Sequence, residues 1–252
     1  YLLQFLTRHG PDAQMIVARA ISTIRDIGRA AVPPLVEALA ADDELVQLRV
    51  VGLIGQFGDR RAVPALLALC EAPNLSEPLA EAAGEALKAI TGQPPDALGS
   101  AVEQYRALAQ MYVKEDAASV GFVYGGWQEV WHWNPGAADW HERLTYELVP
   151  TYSYYQQQAV ENALKGLGLD PENADLSSLL LTALCRQRQL AHMYSGLKDE
   201  EQVRSHAAVT AAQLDKHVPL VGHLMGVDVV GEALRQALTL GDPATSLYLV
   251  EL

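Results

Sequence analysis

The clearest hydrophobic pattern in the chain lies between residues 44 and 70, ELVQLRVVGLIGQFGDRRAVPALLALC. Its first part places apolar side chains on one stripe of a 3.6-residue helix, namely Val46, Val50, Leu53, Ile54 and Phe57. Gly58-Asp59 interrupts this stripe, because glycine takes the left-handed helix-terminal conformation at little steric cost. A second stripe then follows, comprising Val63, Leu66, Leu67 and Cys70. The segment predicts two amphipathic helices joined by a tight turn, with Pro64 in the first turn of the second helix.

The same template recurs on both sides of this segment. Upstream it contains a first helix (Ile16, Ala20, Thr23, Ile24, Ile27), a break at Gly28, and a second helix (Val32, Leu35, Val36, Leu39) with Pro33 in the place of Pro64. Downstream, the first helix of a third unit is marked by Leu79, Ala83, Ala86, Leu87 and Ile90. The start of the chain fits the second helix of a unit that precedes these three, with its stripe at Leu2, Phe5, Leu6 and His9. Short amphipathic helices cannot bury their stripes alone, so the pattern predicts an all-α fold of stacked helix pairs, an α-α superhelix.

These units resemble HEAT repeats, in particular the short phycobilisome-lyase-like subtype. Units of that subtype have an arginine on the first helix, a Gly-Asp break and an Ala-Val-Pro-Ala-Leu second helix, which Arg49, Gly58-Asp59 and residues 62–66 match. Arg19 is the upstream copy of Arg49. The resemblance covers residues 1–92 and implies a HEAT-like solenoid. It also implies structural roles for a set of repeat positions, with the two arginines forming hydrogen bonds between repeats: Arg19, Arg49, Gly58, Asp59, Pro33 and Pro64.

The remainder, residues 97–252, predicts further helix pairs after a boundary at Gln93-Pro94-Pro95. Helical patterns occupy 97–116, the stretch from Tyr152 onward, 201–217 and 226–240, with Pro219 and Gly222 separating the last two. Residues 163–174 locally resemble the junction of tetratricopeptide repeats. Gly241-Asp242-Pro243 predicts a helix start. Because helical patterns also occupy both chain ends, we expect the sequence to be part of a longer protein.

One segment, residues 120–150, differs in kind, since it contains all four tryptophans and alternates apolar with polar residues. We predict a β-hairpin inserted near 123–148, with Asn134-Pro135-Gly136 opening its loop. Its aromatic residues are the candidate binding site: Trp127, Trp131, His132, Trp133, Trp140 and His141. They would form an aromatic recognition surface. The alternative is that they cap the hydrophobic core where the two helical blocks meet.

Composition and charge exclude several classes of function. The net charge is −13 and Arg60-Arg61 is the only adjacent basic pair, so nucleic-acid binding is not expected. No stretch approaches the ~20 apolar residues that span a bilayer, so membrane insertion is not expected either. The two cysteines, Cys70 and Cys185, fit helical apolar faces as small hydrophobic residues. They do not fix a compartment, and we favour the cytoplasm only slightly.

Motifs for catalysis are missing from the sequence. The histidines lack zinc-ligand spacing, and no glycine-rich phosphate loop or nucleophile motif is present. Two acidic runs, Asp42-Asp43-Glu44 and Asp199-Glu200-Glu201, fall where helices start, so the helix dipole accounts for them. We therefore predict no catalytic residues, no metal and no cofactor.

The leading hypothesis is a non-enzymatic protein–protein interaction scaffold, a curved solenoid that binds an unidentified protein or peptide on its inner face, which the second helices form. The resemblance implies an alternative, a bilin-lyase-like subunit or a chaperone acting on a tetrapyrrole-bearing protein. A third possibility is a structural arm of a larger enzyme.

Overall fold

The structure is a computed structural model, which describes residues 2–8, 10, 13–197 and 200–252. His9 and Asp199, named above, lie outside the described residues, as do the side chains of Trp140 and His141. The chain folds as two compact units. Unit 1 comprises Tyr1–Gln104 and Glu129–Glu147, and unit 2 comprises Tyr105–Gln128 and Leu148–Leu252.

Unit 1 consists of stacked helix pairs, as predicted. The first helices of the pairs are α1 (Gln14–Ile27), α3 (Glu44–Phe57) and α5 (Glu77–Thr91), and the second helices are α2 (Val32–Ala38) and α4 (Val63–Cys70). Helix α6 (Ala101–Val113) starts in unit 1, after a 3₁₀ turn at Pro95–Ala97, and from Tyr105 onward belongs to unit 2. Helix α3 packs against α1, α2 and α5. One hydrophobic core therefore runs through the stack, with Leu35, Val50, Ile54 and Leu66 completely buried.

Local sequence signals fix the ends of these helices. The Asp43 carboxylate accepts hydrogen bonds from the backbone N–H groups of Leu45 (2.9 Å) and Val46 (3.2 Å), which caps α3. Gly58 then ends α3 in the left-handed conformation, with φ of 61°. Pro33 and Pro64 both lie in the first turn of a second helix. The Gly-Asp and proline signals thus operate as the sequence indicates.

The register of α1 differs from the predicted stripe. Ile16 and Ile27 are 45% and 49% exposed, whereas Val17 is buried together with Ala20 and Ile24. Both sets of residues have helical spacing, and the helix presents the Val17 set to its neighbours. In addition, Leu2–Thr7 forms a 3₁₀ helix rather than an α-helix, although Leu6 is buried as predicted.

The predicted β-hairpin is confirmed. Strands β1 (Trp127–Trp133) and β2 (Leu144–Pro150) pair in a two-stranded sheet. The backbone N–H of Asn134 donates to the carbonyl oxygen of Arg143 (2.6 Å), and the N–H of Gly136 donates to the Asn134 side chain (3.1 Å). The loop begins at Asn134, as the turn residues indicate, and contains the short helix α8 (Trp140–Arg143).

Unit 2 is arranged around one helix, α10 (Ala174–Ser195). It packs against α9 (Thr151–Leu169), α11 (Glu201–Met225), α12 (Val227–Thr239) and α13 (Pro243–Glu251), and the short α7 (Ala117–Val120) precedes the hairpin. Polar groups help to align α10 with α12: Gln236 donates to the Ser178 hydroxyl (2.8 Å) and accepts from the Thr182 hydroxyl (3.0 Å). Asp242 caps α13 by accepting from the N–H of Thr245 (3.0 Å), as predicted.

The predicted break at Pro219 and Gly222 is wrong. Helix α11 continues through both residues to Met225, and the chain reverses at Gly226 instead, where φ is 86°. Pro219 is exposed, so the carbonyl group that its missing N–H leaves free is open to water. The buried stripe that includes Val203, Ala211 and Val218 favours one continuous helix. The fold is an all-α helical repeat fold with one β-hairpin among its described residues.

Candidate functional site

The structure places the predicted aromatic residues in different surroundings. Trp133 packs against the hydrophobic core of unit 1, as does Leu144 across the hairpin. Trp131 pairs with Tyr146 on the opposite strand, with ring centroids 4.9 Å apart. Trp127 belongs to unit 2, where its ring meets the His206 imidazole edge-to-face at 5.8 Å. These side chains have structural neighbours, and a binding role for them stays a prediction.

His132 lies on the other face of β1 from Trp131 and Trp133, because side chains alternate along a strand. Its Nε2 is 3.9 Å from the Glu147 carboxylate, and both side chains are substantially exposed. A pair this exposed contributes little to stability. His132 shares its side of β1 with Val130, which is almost completely buried, so only part of the His132 side chain reaches solvent.

Arg143, a residue outside the predicted site, links the hairpin loop to the repeats. Arg143 donates through Nε to the carbonyl oxygen of Ala137 (2.9 Å), inside the hairpin loop. One of its terminal nitrogens lies 3.0 Å from the Asp42 carboxylate, in the loop between α2 and α3. These two residues are 101 positions apart in the chain. No local pattern could have revealed their pairing.

Hydrogen bonds around the Asp59 carboxylate join successive repeats of unit 1. Asp59 is 9% exposed, and its carboxylate accepts from the Arg61 backbone N–H (3.0 Å) and from Arg61 Nε and a terminal nitrogen (3.0 and 2.8 Å). The same Arg61 side chain reaches the Arg29 carbonyl oxygen of the preceding repeat (3.3 Å). Arg29 Nε in turn donates to the Phe57 carbonyl oxygen (3.4 Å).

The electrostatics of Asp59 follow from this geometry. Burial by itself raises the pKa of the carboxyl, but the hydrogen bonds and charge of Arg61, together with the charge of Arg29, outweigh it. The pKa of Asp59 is consequently below its ordinary value of 3.8. The Gly-Asp turn is thus a charged junction between two repeats as well as a helix end.

Arg49 makes a second junction between repeats. Its guanidinium donates to the backbone carbonyl oxygens of Leu6 and Arg8, in and just after the first 3₁₀ helix, the latter at 3.1 Å. Arg19, the residue predicted as its copy, is exposed on α1. The Arg49 guanidinium therefore forms its hydrogen bonds with backbone carbonyl oxygens.

The faces of unit 1 differ sharply in charge. The second helices contain a single ionisable side chain in α2, Glu37, and no Asp, Glu, Lys or Arg in α4. Their half-buried positions are apolar, including Pro34, Val36, Ala65, Ala68 and Leu69, and all of these except Pro34 also pack against the core of unit 1. Helix α5, which is the first helix of its unit, by contrast exposes carboxylates on successive turns, namely Glu77, Glu81 and Glu85. We call the outward side of α2 and α4 the second-helix face.

Neither cysteine provides a reactive thiolate near neutral pH. Burial raises the pKa of the half-buried Cys70 thiol, and the charge of Glu71 raises it further. Burial raises the pKa of Cys185, which is completely buried, to about 12. Within the described residues no three His, Cys, Asp or Glu side chains form a group able to hold a metal ion. None of the helices described there is long and apolar enough to cross a membrane.

Together, the fold and the composition of the second helices define a helical-repeat protein whose second-helix face holds few charges. The family model for HEAT repeats matches residues 32–120, which is 89 of the 252 residues and extends from α2 through α7. The match supports the predicted similarity to HEAT-repeat proteins, and it runs beyond residue 92, where the predicted resemblance ended. HEAT repeats in general are protein-interaction scaffolds. No curated protein matches the chain significantly.

Proposed function

We propose that this protein is a non-enzymatic scaffold that binds an apolar segment of a partner protein on the second-helix face. The observation that carries the proposal is the scarcity of charge on α2 and α4, in contrast to helix α5, which exposes Glu77, Glu81 and Glu85. Apolar side chains such as Val36 and Leu69 are only half-buried there. Contact surfaces are depleted of charge at their centre, which matches this face.

The rigidity of unit 1 supports binding at this face. Asp59, Arg61 and Arg29 join the second repeat to the first, and Arg49 joins it to the start of the chain. A surface built on fixed helices loses little conformational freedom when it binds, so more of the contact energy appears as affinity. The hairpin, held by Arg143 and Asp42, adds a further aromatic edge to the same unit.

A peptide library and one pair of variants test the proposal. Immobilised protein selects binders from a displayed library of random peptides, and the affinity of the best peptide is then measured by fluorescence anisotropy. Ala68→Arg places a long charged side chain on the second-helix face, so we expect it to weaken binding by about thirtyfold. Ala80→Arg makes the same replacement on the exposed, charged side of α5 and is the matched control.

Both variants must melt at a temperature close to that of the parent protein for the comparison to hold. Equal weakening by the two arginines would contradict the proposal, because bulk charge rather than the second-helix face would then govern binding. Selected peptides that lack apolar residues would contradict it as well.

A second proposal, action on a protein that carries a bilin, rests on the sequence resemblance of Arg49, Gly58-Asp59 and residues 62–66 to phycobilisome-lyase-like units, whereas the family match itself supports HEAT repeats only. Under that alternative the hairpin tryptophans, Trp131 and Trp133, would line the chromophore site. Added bilin should then quench tryptophan fluorescence saturably, with Trp131→Phe reducing the amplitude of quenching. An unsaturable, linear loss of fluorescence would eliminate this function.

A further inference from the structure

The turns that lead into the two second helices carry exposed arginines at equivalent positions. Arg29 and Arg60 each lie three positions before the valine that begins a second helix, which is Val32 in α2 and Val63 in α4. The turn Arg60–Ala62 also packs against α2. The two arginines therefore lie at the N-terminal end of the second helices, and we call this pair the arginine edge.

The carboxylates near the arginine edge do not neutralise it. The Asp59 carboxylate faces two cations, because a terminal nitrogen of Arg61 lies 2.8 Å from it and the charge of Arg29 also acts on it. One positive charge is left over there, and exposed Arg60 adds another. At the end of α1, exposed Asp26 is next to an exposed arginine, Arg25, which donates to an uncharged glutamine side chain, so these two charges offset each other.

The C-terminal ends of the same helices carry the opposite charge. Glu37 lies in the last turn of α2, Asp42 lies in the loop that follows, and exposed Glu71 comes directly after α4. Asp42 is already paired with Arg143. The dipoles of the helices act in the same sense, since their positive ends lie at the arginine edge. The second-helix face is thus poor in charge along its helices and positive at one end only.

We propose that the partner segment bound on the second-helix face is acidic as well as apolar, with aspartate or glutamate side chains that pair with Arg29 and Arg60. A guanidinium group binds a carboxylate through two parallel hydrogen bonds. Contact surfaces commonly have an apolar centre and a polar rim, and the arginine edge forms such a rim. A basic segment is disfavoured there, because like charges would meet. The inference rests on the proposed scaffold function and names the chemistry of its partner.

Selection from a displayed library of random peptides tests the proposal. We expect the peptides that the immobilised protein retains to be enriched in aspartate and glutamate as well as in apolar residues, compared with the unselected library. This enrichment is informative because the chain has a net charge of −13, which repels acidic peptides in general. Arg29→Glu combined with Arg60→Glu should reverse the charge preference to lysine and arginine, while apolar residues stay enriched.

The affinity of the best acidic peptide, measured by fluorescence anisotropy, gives the magnitude. Arg29→Gln combined with Arg60→Gln should weaken binding about tenfold at low salt and less at high salt, because exposed ion pairs are modest and screened. The matched control is Arg19→Gln combined with Lys216→Gln, which removes the same charge at two other exposed positions and should change little. If loss of the Arg29 hydrogen bond to Phe57 lowers the melting temperature, Arg60→Gln alone should still weaken binding about threefold.

The possible outcomes separate the two proposals. Selected peptides with apolar residues but no excess of aspartate and glutamate would overturn this inference and leave the scaffold proposal standing. Equal weakening by the two double variants would also contradict it, because bulk charge would then explain the preference. Displacement of the acidic peptide by an equal concentration of a short single-stranded oligonucleotide would show instead that the arginine edge is a phosphate site. A selection without apolar enrichment would refute both proposals.

Discussion

Replacement of Asp59 is the most informative perturbation of the repeat stack. Its carboxylate accepts the Arg61 N–H at the start of the Arg60–Ala62 turn and also pairs with the Arg61 guanidinium, which itself reaches the preceding repeat. Asp59→Ala removes both functions. Asp59→Asn keeps an oxygen that can accept the N–H and removes only the charge.

The magnitude follows from these contacts. Loss of a helix-capping oxygen costs about 1 kcal/mol, and loss of a largely buried hydrogen bond to a charged group costs about 1.5–3 kcal/mol. The contributions overlap, since Arg61 takes part in both and regains water when released. We expect Asp59→Ala to lower the free energy of unfolding by about 2–3 kcal/mol, and Asp59→Asn by roughly half as much.

The dependence on pH has a definite sign. Because the folded-state pKa of Asp59 is lowered from 3.8, its charge stabilises the fold at pH values above 3.8, and this stabilisation is lost as the pH falls through the folded-state pKa. Urea unfolding followed by circular dichroism, from neutral pH down to the most acidic pH at which the fold persists, measures the effect. The difference between parent and Asp59→Asn should shrink with acidification. A difference that is constant with pH, or an Asp59→Ala cost below ~0.5 kcal/mol, would refute this account of the turn.

Three further substitutions probe packing and backbone. Arg49→Met should cost about 1–2 kcal/mol and speed hydrogen exchange in Leu2–Thr7, because it releases the carbonyl oxygens of Leu6 and of the following Arg8; unchanged exchange would contradict the Arg49 junction. Gly166→Ala should cost about 1–3 kcal/mol in thermal unfolding, because its Cβ would lie 2.7 Å from Leu176 Cδ1, whereas Gly168→Ala, with open space around it, should be neutral or slightly stabilising. Pro219→Ala should raise stability by about 2 kcal/mol, and a lower melting temperature would contradict a continuous α11.

Those parts of the fold that depend on local interactions can be predicted from the sequence. Helical spacing, Asp43 as a cap, Gly58 as a stop and Pro64 in a first turn all operate within a few residues, so the helix pairs and their ends were predictable. The hairpin was predictable for the same reason, because alternation and Asn134-Pro135-Gly136 are local signals. The register of α1 was not, since Ile16 and Val17 both belong to acceptable stripes and only the neighbouring helices choose between them.

The features that could not be predicted from the sequence share one cause, because each depends on residues that are distant in the chain. Pro219 ordinarily ends a helix, but the exposed position of this proline makes the lost hydrogen bond tolerable. Arg143 reaches Asp42 across 101 positions, and Trp127 meets His206 from a different part of the chain. The sequence therefore identifies the candidate binding residues as unusual, but it does not predict which residues they contact in the folded protein. For the second-helix face, the sequence shows only that α2 and α4 contain few charged residues.

The two cysteines, one in each unit, allow local opening of the protein to be measured through thiol reactivity. A thiol-specific reagent modifies only a thiolate that it can reach, so completely buried Cys185 can react only when unit 2 opens, whereas half-buried Cys70 is partly accessible in the folded protein. The labelling rate of Cys185, measured by mass spectrometry of the digested protein with Cys70 as the reference thiol in the same sample, would therefore time the opening of unit 2.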